Sequence, residues 1–166
     1  MLRSGEVVTD SPEEELTAAL VKAKRAGYAG TDDDESIPNP LLPHSKELGW
    51  EEEPWTYRDI YFGMTQFTGL ETLSHDQQPV WAMAYSGGLT RPSNSAAYLD
   101  LFAFLRGALM LMPVDLPLRG PARHEIGNRV YTMRCEGTVN RFSGTEVISQ
   151  SGQVLYSARF AGGLIL

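Results

Sequence analysis

The segment Phe67-Thr68-Gly69-Leu70-Glu71-Thr72-Leu73-Ser74 returns 75 residues later as Phe142-Ser143-Gly144-Thr145-Glu146-Val147-Ile148-Ser149. The register holds without a gap through Gln78 and Gln153, Trp81 and Tyr156, and Tyr85 and Phe160. It closes with Gly87-Gly88-Leu89 against Gly162-Gly163-Leu164. Eight of the 23 aligned positions are identical, more than the shared composition of hairpins supplies. Such a repeat confines the chain to folds built from two like units. One helix on three strands buries too little surface to stand alone, so two copies must share a core. The expected fold is α+β: two pseudo-symmetric helix–three-strand halves (αβββ–αβββ), an antiparallel sheet packed against helices. The halves run over about 11–90 and 93–166 of a single domain, behind an N-terminal tail at 1–10.

Local signals place the elements. Ser11-Pro12-Glu13-Glu14 reads as a capping box with proline at the first helical position. Leu16, Ala19, Leu20 and Ala23 give that helix one apolar face. Lys22, Lys24 and Arg25 suit its last turn, and Gly27 is the expected stop. Ala29 to Pro54 reads as irregular. Its acidic run Thr31–Glu35 lacks the alternating oxygens and central glycine of a calcium loop. From Trp55 the period changes to two, and a three-stranded meander follows through Ser86, turning at His75-Asp76-Gln77. A second helix starts at Ser93 or Asn94 and must end by Pro113. Val114 to Asn128 reads as a connection, and strands resume at Val130. Trp81, Met83 and Tyr85, like Tyr156, Ala158 and Phe160, form a large-residue face for the helices. The opposite face carries Val80, Ala82 and Ala84, with Leu155, Ser157 and Arg159, and leaves room for a partner or ligand.

The second helix is apolar on nearly all sides. Tyr98, Leu101, Leu105, Leu109 and Met112 can face the sheet, which leaves Phe104, Ala108 and Leu111 as an exposed patch. The expectation is either a homodimer through the 94–112 helix or cover of the patch by Ile37–Leu48 of the long loop. A formal net charge of −7 argues against direct nucleic-acid binding, which needs a basic face. The apolar run Leu101–Val114 is too short for a membrane span. Met1–Asp10 has no signal-peptide core, so the expected location is cytoplasmic. Cys135 is the single cysteine, and it reads as a buried structural thiol. His44, His75 and His124 lie in separate contexts without metal-ligand spacing, and neither a metal nor a cofactor is expected.

Two sets of residues carry candidate chemistry. Glu71 and Glu146 hold the same place in both halves. They could work as an acid–base pair across a cleft, or each could brace its own hairpin through backbone near Gly69 or Gly144; repetition favours bracing. Asp59, Tyr61, Arg134, Glu136 and Arg159 could gather on one sheet face, as a binding surface or as cross-strand ion pairs. The candidate binding residues are therefore Tyr61, Glu71, Arg134, Glu146 and Arg159, with no catalytic assignment. No phosphate loop or nucleophile elbow is present.

Several motifs together resemble a family of bacterial domains of unknown function, found alone or behind a repressor-type helix-turn-helix. They are Val21-Lys22-Ala23-Lys24-Arg25-Ala26-Gly27-Tyr28-Ala29, Trp55-Thr56-Tyr57-Arg58-Asp59-Ile60-Tyr61-Phe62-Gly63, Phe67-Thr68-Gly69-Leu70-Glu71, Pro79-Val80-Trp81-Ala82-Met83, Arg119-Gly120-Pro121 and Phe160-Ala161-Gly162-Gly163. The resemblance implies a fold and supplies no activity. It implies an asparagine where Ala84 stands and a histidine where Ala161 stands, so this chain departs there. The leading functional reading is a non-enzymatic module that binds a small molecule or protein partner, related to regulator-associated domains. The alternatives are a small hydrolase-like enzyme using the paired glutamates and a structural oligomerisation domain.

Overall fold

A computed structural model describes residues 12–29 and 40–165. Among them the chain runs α1 (Pro12–Ala29), β1 (Lys46–Glu52), β2 (Trp55–Gly63), β3 (Gln66–His75), β4 (Gln78–Leu89), α2 (Ser95–Leu109), β5 (Arg123–Ile126), β6 (Arg129–Thr138), β7 (Arg141–Gln150) and β8 (Gln153–Leu164). The strands form one antiparallel sheet in the order β1-β2-β3-β4-β8-β7-β6-β5. No described helix is long and apolar enough to cross a membrane.

The centre of the sheet follows the repeat closely. β4 pairs with β8 through Trp81–Leu164, Tyr85–Phe160 and Leu89–Tyr156. This ladder maps onto itself when 75 is added to one strand and subtracted from the other. Thr90 N–H donates to Leu155 O (3.0 Å) and Ile165 N–H to Val80 O (2.8 Å), which are matching bonds at its two ends. The β3–β4 turn holds Asp76 and Gln77 at φ 48° and 64°, and the β7–β8 turn holds Ser151 and Gly152 at 50° and 78°. Positive φ at both central positions suits the right-handed twist of a tight hairpin. A register shift follows Leu73 in one hairpin and Ile148 in the other.

The strict αβββ–αβββ scheme does not hold: each helix is followed by four strands. The extra ones, β1 and β5, are the sheet edges, and both lie in stretches read as irregular. β1 is Lys46-Glu47-Leu48-Gly49-Trp50-Glu51-Glu52 and β5 is Arg123-His124-Glu125-Ile126. Such short, charged strands protect an edge from further pairing, and they lack apolar alternation for the same reason. α1 continues through Gly27, so Lys22, Lys24 and Arg25 lie in its body rather than its last turn. The Ser11 cap and the Thr31–Glu35 run lie outside the described residues. Asn94 caps α2, its side chain accepting from Ala97 N–H at 2.9 Å.

Both helices cover the face carrying Trp81, Met83, Tyr156, Ala158 and Phe160, all buried. Their own burial matches on a shift of 85: Leu16, Ala19, Leu20, Ala23 and Lys24 of α1 answer to Leu101, Phe104, Leu105, Ala108 and Leu109 of α2. Phe104 and Ala108 are thus buried, and of the patch expected to be exposed only Leu111 is, at 53%. Phe104 stacks on His124 of β5 (centroids 5.4 Å) and lies under Arg129 of β6. The unread strand β5 supplies that cover, and the apolar patch argued for a homodimer is not there.

Gly69 and Gly144 hold equivalent places beneath an aromatic ring. A Cβ at Gly69 would lie 2.4 Å from the Tyr85 ring, and one at Gly144 2.4 Å from the Phe160 ring. Gly144→Ala is expected to cost about 1–3 kcal/mol through overpacking, read from urea unfolding. An unchanged midpoint would mean that the Phe160 ring moves aside freely.

Candidate functional site

The helix-covered face hides charge in its core. Lys24, Glu71 and Glu146 are 0% exposed, and Asp59 and Arg119 are nearly as buried. Arg119, from the α2–β5 connection, grips Glu146 with two bonds, Nη2 to Oε1 at 2.6 Å and Nε to Oε2 at 3.1 Å. The Tyr131 and Tyr156 hydroxyls donate to the same carboxylate at 2.8 and 2.7 Å. Burial works to raise the Glu146 pKa, but Arg119 and the two tyrosines outweigh it and hold the carboxyl below its ordinary range. Both tyrosines are raised, by burial first and then by the Glu146 charge.

Glu71, at the matching place on β3, is held differently. Lys24 Nζ lies 2.5 Å from its Oε2 and Arg119 Nη1 3.8 Å from its Oε1, as ion pairs. Neither oxygen accepts a well-formed hydrogen bond. One of the donors that Glu146 has is lost by a substitution between the halves. Trp81 stands where the second half has Tyr156, and its N–H goes to Val139 O at 3.0 Å. Lys24 also donates to Leu118 O at 2.7 Å and lies over the Trp81 ring, 5.4 Å from its centroid. Burial lowers the Lys24 pKa against the pull of Glu71. Asp59 is directly across from Glu71 in the β2–β3 ladder. It accepts from the Tyr85 hydroxyl at 2.6 Å. Burial and the Glu71 charge push the Asp59 carboxyl up to about 7.

Neither glutamate braces its hairpin through backbone near Gly69 or Gly144. Both tie the helical layer to the sheet, and Arg119 bridges them. With no exposed surface, neither carboxylate can meet a substrate in this arrangement. Sequence reasoning missed Lys24 and Arg119. Lys24 was legible: it stands four residues after Leu20, on the apolar stripe of α1. Arg119 lies in an aperiodic connection and gave no such sign.

The opposite face is uncovered over the central strands. One cross-strand row reads Phe62, Thr68, Ser86, Arg159, Thr145, Arg134; the next reads Ile60, Leu70, Ala84, Ala161, Ser143, Glu136. On the repeat, Arg134, Thr145 and Arg159 take the places of Ile60, Leu70 and Ala84, and Glu136 that of Phe62, so one half of this surface is charged and the other more apolar. A shallow groove of about 870 Å³ crosses the rows, lined by Ala84, Arg134, Thr145, Arg159 and Ala161 among others, and a second of about 820 Å³ adjoins it. Arg134 and Arg159 are exposed, and neither forms an ion pair among the described residues.

The five sequence candidates are therefore not one site. Glu71 and Glu146 belong to the buried network and Tyr61 to the helix-covered face, where it pairs with Gly69. Arg134 and Arg159 share the open face with Glu136, while Asp59 is on the other side. Cys135 is half-buried rather than buried, and burial raises its thiol pKa. No group of three or more His, Cys, Asp or Glu among the described residues could hold a metal ion.

Residues 59–165 match a family described as a domain of unknown function (DUF5680), more than half of the chain. The chain belongs to this family. The DUF5680 match begins within β2 and takes in β3 to β8, and so contains the central ladder, Glu71, Arg119, Glu146 and both open-face arginines. No curated protein and no solved structure matches the chain.

Proposed function

We propose that this DUF5680 chain is a non-enzymatic binding module, built by duplication of a helix-and-hairpin unit, whose working surface is the open face of the sheet. The observation that carries the reading is the unequal treatment of the two faces. One is sealed by both helices over a clamped ionic network. The other bears a groove lined by Arg134, Arg159 and Glu136 at one end and by Ala84 and Ala161 nearer the middle of the sheet, with no ion pair to either arginine among the described residues. Such a surface suits a small amphipathic anion, its carboxylate or phosphate between Arg134 and Arg159 and its apolar part over Ala84 and Ala161. The arginines sit two strands apart, about 10 Å, so one anionic group can reach both guanidinium groups on their long stems. Ala84 and Ala161, where the resemblance implies polar side chains, are cross-strand partners at the groove's centre. The role of sensor attached to bacterial regulators accords with this reading.

The test is calorimetric titration with octanoate, 1-octanol and octylamine. Octanoate is expected to bind best, and Arg134→Glu with Arg159→Glu to weaken it at least about tenfold, the loss of two charge-assisted contacts. Equal affinity of the double variant for octanoate would remove the open face as the site. The hydrolase reading has no comparable support, because both glutamates are sealed.

A further inference from the structure

We infer a second ligand site, for a small aromatic amine, in the cavity between the first turn of α1 and the adjoining end of the sheet. The two halves differ there in a way that defines what is missing. In the second half the matching residues make contacts with one another. Tyr98 packs on Phe102 (centroids 4.5 Å), and Arg129 Nη2 pairs with Asp100 at 2.8 Å while also donating to Gln150.

In the first half each of these groups is exchanged. On the helix shift of 85, Glu13 stands in the place of Tyr98 and Glu15 in that of Asp100. On the strand repeat, Trp55 replaces Arg129 and His75 replaces Gln150, the two rings meeting edge to face at 4.7 Å. What remains is a cavity of about 700 Å³, open to solvent, with Leu16, Val80 and Leu164 as apolar walls. Among the described residues, no ring stands in the place of Tyr98 and no cation in that of Arg129. Glu15 has no ion-pair partner among the described residues, and Glu13 accepts one hydrogen bond from Asn140 Nδ2 at 2.9 Å.

An aromatic amine restores both absent groups. Its ring lies where the Tyr98 ring lies in the other half, against Leu16, Val80 and the edge of Trp55. Its ammonium takes the part of the Arg129 guanidinium, facing Glu15 and the remaining oxygen of Glu13. The acidic rim disfavours a carboxylate of the same shape. This site shares no residue with the open-face groove and stands independently of it.

The experiment titrates the full chain with 2-phenylethylamine, 2-phenylethanol and 3-phenylpropionate, followed by calorimetry and by the indole N–H resonance of Trp55. The amine is expected to bind about fivefold tighter than the alcohol, the worth of one partly exposed ion pair, with the carboxylate weakest. Glu15→Gln should erase the preference for amine over alcohol without weakening the alcohol. Glu13→Tyr, which installs the residue of the second half, should abolish binding of both; Leu164→Trp, at an exposed wall, should do the same and serves if the first variant folds poorly. Failure of the amine to bind the full chain, equal binding of amine and alcohol, or undiminished binding in both filled variants would each overturn the proposal.

Discussion

Arg119→Met is expected to lower the unfolding free energy by about 3–5 kcal/mol, the usual cost of removing one partner from a buried ion pair. Arg119 touches both glutamates of the repeat. Its loss leaves Glu146 with two tyrosine donors and no counter-charge, and Glu71 with Lys24 alone. Glu146 then takes up a proton more readily, so the deficit should shrink as pH falls toward 5. Adding Glu146→Gln should recover part of the loss, because a neutral amide keeps a group for the tyrosines without an unpaired charge. Urea unfolding of the two single variants and the double variant measures this. Additive losses would show that the pair is not coupled and that Arg119 matters by packing on the Tyr85 ring instead.

The strands that carry alternating apolar residues were legible, because burying one face imposes a period of two. β3, β4, β7 and β8 also carry the repeat, so their pairing and the side facing the helices could be read. β1 and β5 could not, since edge strands use charge where inner strands use apolar side chains. That one omission propagated: without β5, the Phe104 ring was assigned to an exposed patch that a second copy or the long loop would have to cover. The site was less legible than the fold. Glu71 and Glu146 were found through repetition, but their cations come from a helix stripe and an aperiodic connection. The open-face arginines were among the candidates, but the sequence reading grouped them with Asp59 and Tyr61, and only the ladders separate the two faces. The amine cavity is invisible to composition and emerges only when the two halves are compared position by position.

Stability is expected to fall as pH rises from 4 to 7 on account of Asp59, and Asp59→Asn should remove that dependence. The folded carboxyl titrates at about 7 against an ordinary value of 3.8. A raised pKa means that folding favours the protonated acid. The contribution is full below pH 3.8, declines through the window, and is gone above 7. A shift of about 3 units sets a ceiling of ~4 kcal/mol. The charge count explains the sign. With Asp59 ionised, three carboxylates (Asp59, Glu71, Glu146) face two cations (Lys24, Arg119); protonation brings the cluster to neutrality. Glu71 stands across the ladder from Asp59, Tyr85 donates to it from β4, and Lys24 and Arg119 reach it from the helical layer. Two other groups titrate with the opposite sign. Glu146, being lowered, contributes stability lost only as pH falls below its ordinary range, and Lys24, being lowered, loses stability as pH falls from 10.5. Both are present in the wild type and in Asp59→Asn, so the difference between the two proteins reports the aspartate together with its pull on Lys24. The amide keeps an oxygen for the Tyr85 hydroxyl and carries no charge at any pH. Urea unfolding at pH 4, 5.5, 7 and 8 should show Asp59→Asn gaining on the wild type up to pH 7 and holding a constant margin above it. A margin that stays level from pH 4 to 8 would mean that Asp59 is ionised in the folded protein throughout, and that the cluster holds one net negative charge.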